Sequence, residues 1–283
     1  MTSSGAAYLL DKAPGTTSRR AASWVARTWG FRKFGHAGTL DPDATGLLMV
    51  LMGRATRLSR FFLDGQKTYS FAVKLGLRTD TDDTGGRVLE RRSVTGVTQD
   101  DIREVLRSFT GSFMQKVPEY SAVRVEGGRA YSMARKGLDP DTPVREVRAS
   151  GWEILELDGD TVRFSVTVSS GTYVRALARD MGEALGTLGT AFDIRRTAVG
   201  GFTVNEASGR PDDASSMLTM AELMREYPAV YLDPFQTEMM SHGTPLPHER
   251  TGLFRLIGTG GELTAVAEGD GSFLRPVCVL VEK

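Results

Sequence analysis

The sequence is poor in the residues on which several common chemistries depend. A single cysteine, Cys278, excludes an internal disulfide, and the three histidines, at 36, 242 and 248, have no metal-ligand spacing. Neither a metal nor redox chemistry is expected, and Cys278, inside the apolar run Pro276 to Val281, reads as a buried strand residue. Apolar stretches are short: Gly46 to Met52 falls far below the roughly 20 residues of a membrane span, and the N-terminus carries no apolar signal-peptide core. These absences predict a cytoplasmic protein with no membrane association. What is present is ordinary for a globular chain, 40% hydrophobic and 25% charged residues, and 283 residues leave room for one large core plus a smaller appendage.

Net charge is also lacking, with 35 basic against 35 acidic side chains, but the balance is uneven along the chain. Residues 1–74 carry eleven basic and four acidic side chains, net +7, which leaves 24 basic and 31 acidic over the remaining 209, net −7. A basic quarter on a neutral protein is the footprint of one face meeting a polyanion, and equally that of solvated helix faces with no partner.

Periodicity predicts a helix capped by Thr17 or Ser18 and running to Trp29, with Ala21, Ala22, Val25, Ala26 and Trp29 inward and Gly30 as its stop. Gly46 to Met52 reads as a buried segment followed by a helix with Leu58, Phe61 and Phe62 inward. Tyr69, Phe71, Val73 and Leu75 alternate with polar or small residues as a half-buried strand that Tyr69 opens on the inward side. Thr98 to Asp101 has capping-box spacing before a helix through Phe109. Residues 115–145 predict an exposed hairpin and a short helix, Val162 to Val168 a strand, and Val174 to Leu185 a helix. Short strands at Leu253 to Ile257, Leu263 to Ala267 and Phe273 to Val281 predict a small C-terminal β domain. The fold class is α+β, a mixed, largely antiparallel sheet flanked by helices.

The densest cluster of special residues is Gly35-His36-Ala37-Gly38-Thr39-Leu40-Asp41-Pro42-Asp43-Ala44-Thr45-Gly46, a loop presenting polar groups at the lip of an apolar segment. Asp41-x-Asp43-x-Thr45 has the spacing of an aspartate-based phosphotransferase, but that pattern follows an apolar strand, whereas here the apolar run comes after the carboxylates. Asp80-Thr81-Asp82-Asp83-Thr84-Gly85 imitates a calcium loop but has Arg91 where a bidentate Glu is required. Asp83 is left either orienting an arginine or sitting in a solvated turn.

The order of blocks resembles the bacterial tRNA pseudouridine synthase B family. The blocks are Leu9 to Ser18, Gly35 to Leu48, Lys67-Thr68-Tyr69, Leu75 to Asp82, Gln115 to Arg135, Ser170 to Arg175 and Ile194 to Thr197. The first differs in detail: the family usually has Lys-Pro-x-Gly, and this chain has Lys12-Ala13-Pro14-Gly15. The resemblance implies a pseudouridine synthase fold over residues 1–230, with a thumb-like insertion at about 115–145, and a small PUA-like RNA-binding domain at 231–283. It implies isomerisation of the T-loop uridine at tRNA position 55, with no cofactor and no metal, by a cytoplasmic enzyme that reads as a monomer.

Carried over by position, Asp41 is the catalytic aspartate, Tyr69 the tyrosine stacked on the base and Arg175 the arginine paired with the aspartate. His36 fills the space left by the flipped base, and Arg57, Asp83, Tyr173 and Ile194 fall at supporting, substrate-binding positions. On pattern alone Tyr69 is an ordinary sheet tyrosine and Arg175 a helix arginine. The chemistry needs a carboxylate, and Asp41 has three routes open: attack on ribose C1′, addition to base C6, or removal of the C2′ proton to give a glycal. A non-catalytic RNA-binding module is the alternative of a different class, and it would not depend on Asp41.

Overall fold

The computed structural model describes residues 5–280. The chain packs as two units: one from residues up to Pro42 with Gly46–Leu63 and Gly201 onward, the other from Asp43–Thr45 with Asp64–Gly200.

In the first unit, β1 (Gly5–Lys12) pairs antiparallel with β3 (Thr45–Gly53), whose edge carries β2 (Phe34–His36). Every residue from Gly46 to Met52 is buried. A strand covered on both faces reads as a continuous apolar run rather than an alternating one, so the expected buried segment is this central strand. Helix α1 (Ser18–Thr28) begins as expected, with Thr17 Oγ1 accepting from the Arg20 amide at 3.2 Å, and buries Ala21, Ala22, Val25 and Ala26. The expected helix after β3 is a 3₁₀ turn, Arg54–Leu58, and a single turn, α2 (Arg60–Leu63), with Leu58 and Phe62 buried and Phe61 half-buried edge-on to Tyr227.

The second unit is a sheet in the order β12-β4-β11-β10-β7, antiparallel throughout. Strand β4 (Lys67–Leu75) is followed by the hairpin β5 (Leu77–Thr79) and β6 (Val88–Arg91), then by α3 (Gln99–Ser108) and β7 (Gly111–Lys116). The capping box of Thr98 and Asp101 is present at the start of α3. The small hairpin β8 (Arg124–Val125) and β9 (Gly128–Arg129) and the short helix α4 (Ala130–Ala134) occupy the stretch where an exposed hairpin and helix are expected. Strands β10 (Val144–Asp158) and β11 (Thr161–Val168), helix α5 (Val174–Ala184) and strand β12 (Gly189–Val199) complete the unit. The core lies between the sheet and α3 and α5: Phe71, Val73, Phe164 and Val166 meet Ile102, Leu106, Leu177 and Met181. Helix α5 and the start of β12 meet backbone to backbone, because a Cβ on Gly182 would sit 2.2 Å from the Gly189 amide and one on Gly189 2.0 Å from the Ala178 carbonyl.

Back in the first unit, β13 (Phe202–Thr203), β14 (Met217–Thr219) and α6 (Met220–Leu223) follow, with β14 pairing on the outer edge of β1. The C-terminal sheet runs β15-β17-β18-β19-β16, from β15 (Ala229–Tyr231), β16 (Leu246–Pro247), β17 (Thr251–Ile257), β18 (Leu263–Asp270) and β19 (Phe273–Val279), with α7 (Pro234–Ser241) after β15. Its core is Leu232, Met240, Phe254, Leu256, Ala265, Ala267 and Leu274, and the curled sheet is consistent with a PUA-like domain. Cys278 is buried in β19 as expected, and burial pushes its thiol up. Val281 of the expected last strand lies outside the described residues. No helix among the described residues is long and apolar enough to cross a membrane.

Candidate active site

The loop carrying Asp41 is held from both sides by residues of the first sequence block. Ser18, buried at the start of α1, donates through Oγ to the Leu40 carbonyl at 2.9 Å and accepts from the Leu40 amide at 2.8 Å. Lys12, 1% exposed at the end of β1, donates through Nζ to the carbonyls of Ala13 (3.0 Å), Thr16 (3.0 Å) and Pro42 (2.8 Å). The residues before and after Asp41 are thus each fixed by a buried polar side chain, and the three carbonyls solvate a lysine charge that would otherwise be costly to bury. Lys12 and Ser18 are positioning residues for this loop, a role that the motif block contained but that local pattern could not assign. Asp41 itself is half-buried, as is His36 at the end of β2.

The unit boundary passes through this loop, after Pro42. Asp43 belongs to the second unit, where a Cβ on Gly85 would be 3.5 Å from Asp43 Oδ2 and 3.3 Å from Asp83 Oδ1.

In the second unit Tyr69, half-buried, stands on β4 opposite Val166 of β11 and Arg196 of β12. Strand β12 is irregular here, with register shifts between Phe192 and Arg195 and between Arg196 and Ala198, and Asp193 at φ 49°. Bulges of this kind re-aim side chains beside functional sites. Ile194 lies in the first of them and packs, with Tyr69, against the core cluster.

Arg175, 4% exposed on the first turn of α5, donates to the Thr81 carbonyl at 2.6 Å and the Tyr120 carbonyl at 3.0 Å, and its Nε lies 3.5 Å from Asp83 Oδ2. Of the two readings left open for Asp83, the structure selects the one in which it orients an arginine. Asp83 is itself fixed by the Thr81 hydroxyl (2.7 Å) and the Gly85 amide (3.1 Å). Tyr173 stands at the N-cap position of α5 without a side-chain cap bond, and the buried Gln115 amide group grips its backbone in both directions, Oε1 accepting from the Tyr173 amide at 2.9 Å and Nε2 donating to its carbonyl at 3.2 Å. The structure therefore gathers Asp83, Tyr173 and Arg175 around the start of α5.

Arg57 belongs to the first unit. It is exposed and donates to the Val279 carbonyl, in a row with Arg54 on Leu280 (2.9 Å) and Arg60 on Val277. Three guanidiniums spaced three residues apart satisfy the backbone acceptors at the end of β19. The signal was its spacing with Arg54 and Arg60, which reads as one row on a helical turn.

Lys67, at the head of β4, is 7% exposed and donates to the Gly65 carbonyl at 2.7 Å. Burial, reinforced by the Arg196 guanidinium, lowers its amine from the ordinary 10.5 to about 8. Between those values the unfolded chain binds a proton that the folded chain does not, so stability rises with pH across this window and the contribution is lost as pH falls through about 8. Urea unfolding at pH 7.5 and 9.5 is expected to show wild type gaining roughly 1–2 kcal/mol relative to Lys67→Met over that interval; identical pH slopes would refute the assignment.

Comparison with known proteins follows the same lines. The family model described as TruB family pseudouridylate synthase (N terminal domain) matches residues 26–174. The chain is 38% identical over 274 residues to the tRNA pseudouridine synthase B of Aromatoleum aromaticum, covering 93% of this chain and 88% of the relative. It is 37% identical over 280 residues to that of Corynebacterium efficiens, covering 96% and 94%. Among solved structures it is similar to a chain of a Cbf5-Nop10-Gar1 complex, with TM-score 0.74 and 24% identity over 98% of this chain and 85% of that one. A chain of an H/ACA RNP bound to a substrate RNA containing 2′-deoxyuridine gives 0.73 and 22% over 98% and 85%. The two structural likenesses speak to the fold.

Proposed function

This chain belongs to the TruB family of pseudouridylate synthases, and on that premise we propose that it isomerises the T-loop uridine of tRNA, at position 55, to pseudouridine. The observation that carries the reading is the loop Gly35 to Gly46, a family signature in sequence whose Asp41 is flanked by backbone fixed through Ser18 and Lys12. A carboxylate that must meet one sugar or base atom gains from such fixing, because it need not be ordered again at each turnover.

The reaction breaks the bond between ribose C1′ and uracil N1, turns the base, joins C1′ to C5 and releases the C5 proton while N1 takes one up, with no net redox change. Asp41 supplies the carboxylate. Tyr69 offers an aromatic face to the uracil, worth roughly 1–3 kcal/mol per stacked base, and a hydroxyl suited to handling the C5 proton. By family position Arg175 is the arginine partner of the aspartate, with Asp83 orienting Arg175 and Tyr173 at the start of its helix. His36 takes the place of the base when it leaves its stack, a step that costs a few kcal/mol, and Ile194 lines the base. Arg57, bonded to the Val279 carbonyl, is carried over by family position as a substrate-binding residue.

The outer face of α1 supports the choice of RNA as partner: Arg20, Trp24 and Arg27 lie on it at positions i, i+4 and i+7, with Trp24 52% exposed. An aromatic between guanidiniums suits both phosphate and base. Residues 1–230 carry catalysis, with 115–145 as a thumb bringing Tyr120, Arg124, Arg129 and Arg135 to the T-arm, and residues 231–283 form a PUA-like RNA-binding domain. The enzyme acts as a cytoplasmic monomer.

Incubating the protein with an unmodified T-arm stem-loop in the presence of a chelator is expected to give pseudouridine at the T-loop uridine. Folded protein that yields none would overturn the reading, and phosphate release dependent on Mg²⁺ would favour the phosphotransferase alternative.

A further inference from the structure

Helix α5 presents a second arginine one turn beyond Arg175, and its contacts repeat those of the first. Arg175 bridges two separate segments, the loop 80–84 through the Thr81 carbonyl and Asp83, and the segment after β7 through the Tyr120 carbonyl. Arg179 bridges the same two: its Nη1 meets Asp82 Oδ2 at 3.0 Å and its Nη2 donates to the Lys116 carbonyl at 3.0 Å, while Nε is held by Asp180 at 2.8 Å. The pair is largely shielded, the side chains being 15% and 12% exposed for Arg179 and Asp82.

Asp82 takes an unusual backbone conformation to make this contact. Its φ is 61°, a left-handed geometry that disfavours most side chains but that Asp, Asn and Gly tolerate. The same residue accepts from the Ala191 amide at 2.9 Å, which ties the loop to β12, and Gly86 completes the turn where a Cβ would come within 2.2 Å of Thr81 Oγ1.

We propose that Arg179, paired with Asp82, is a positioning residue for the reaction: it locks the loop that carries Asp83 to the segment 116–120 and thereby sets the direction in which the Arg175 guanidinium points. A guanidinium fork is aimed by its acceptors. The acceptors of Arg175 lie on two segments that are far apart in sequence, so their separation needs its own constraint, and Arg179 supplies it from the same helix face four residues on. The inference rests on the reading of Arg175 as a site residue.

Burial pushes the Asp82 carboxyl up, and the Arg179 guanidinium opposes that shift. Arg179→Ala therefore leaves a buried carboxylate without its cation and is expected to destabilise the fold. Asp82→Gly is milder, because glycine accepts φ 61° without strain and the Arg179 guanidinium left behind keeps Asp180 and the Lys116 carbonyl as partners.

The test is single-turnover pseudouridine formation on a T-arm stem-loop, with RNA affinity and melting temperature measured alongside. Asp82→Gly is expected to slow the chemical step roughly tenfold to a hundredfold while RNA affinity stays within about threefold and the melting temperature holds. Arg179→Lys, which keeps the charge opposite Asp82, is expected to recover part of the rate that Arg179→Ala loses. The double variant Arg179→Ala/Asp82→Gly should be no slower than Asp82→Gly alone, since either change breaks the same bridge between the loop and the segment 116–120. An Asp82→Gly rate equal to wild type, or a loss confined to RNA affinity, overturns the proposal. If Asp82→Gly keeps its rate while Asp41→Asn is dead, this inference alone fails; if wild type forms no pseudouridine, the functional reading fails and takes this inference with it.

Discussion

Asp41→Asn is expected to lower the single-turnover rate of pseudouridine formation by at least about a thousandfold while leaving affinity for the T-arm within a few fold. The substitution keeps the size and most of the hydrogen-bonding shape of the side chain, and the anchors of the loop are untouched: the Ser18 bonds to Leu40 and the Lys12 bond to Pro42 involve backbone atoms of the neighbours. What is lost is the negative charge, and with it the nucleophilicity and basicity of the carboxylate oxygens, which the three routes open to an aspartate need. A non-catalytic RNA-binding module would show no such dependence. Rate measured under excess enzyme separates the two, because binding and chemistry are then read independently; an Asn variant turning over at the wild-type rate would remove Asp41 from the mechanism.

Tyr69→Phe is expected to slow the chemical step by about a hundredfold with RNA affinity near wild type. The phenyl ring keeps the stacking face and its place on β4 between Val166 and Arg196, so the position of the base is preserved. The hydroxyl is what disappears, and with it the group suited to handling the C5 proton. Release of tritium from C5-labelled uridine reports that step directly. Tritium release and product formation both at the wild-type rate would show that the hydroxyl is not used.

Much of the architecture is legible in local pattern. The α1 and α3 caps, the alternation of β11 and the inward face of α5 all follow from spacing and are found where spacing puts them, whereas β4 is a strand as expected but buries Lys67 and the run Phe71 to Val73 rather than alternate residues. The elements that escape have physical reasons to do so. Strand β10 is fifteen residues long but has irregular register between Ser150 and Glu153 and between Ile154 and Glu156, which breaks the two-residue period that would reveal it. Helix α7 hides behind a proline that reads as a turn, although Asp233 and Gln236 form a capping box and Pro234 sits at a position where the first helical turn accepts it.

The site divides in the same way. Asp41, Tyr69 and Arg175 are recovered only because their flanking strings match a family; as isolated residues they read as a loop carboxylate, a sheet tyrosine and a helix arginine. The partnership of Arg175 with Asp83 spans 92 positions and exists only once α5 packs on the loop between β5 and β6. Asp82 stands in the imitation of a calcium loop and in a family block, but nothing local pairs it with Arg179. Lys12 and Ser18 stand in a recognisable block, yet their work of holding the backbone on either side of Asp41 appears only in the tertiary structure.

The central claim is that this chain makes pseudouridine at one uridine of tRNA through Asp41. Full-length unmodified tRNA transcript, treated in parallel with wild type and Asp41→Asn and mapped for pseudouridine at every uridine, tests it most directly. The account predicts modification at the T-loop uridine with wild type and at no position with the variant. Modification confined to a different uridine, or present in equal amount with Asp41→Asn, would contradict it.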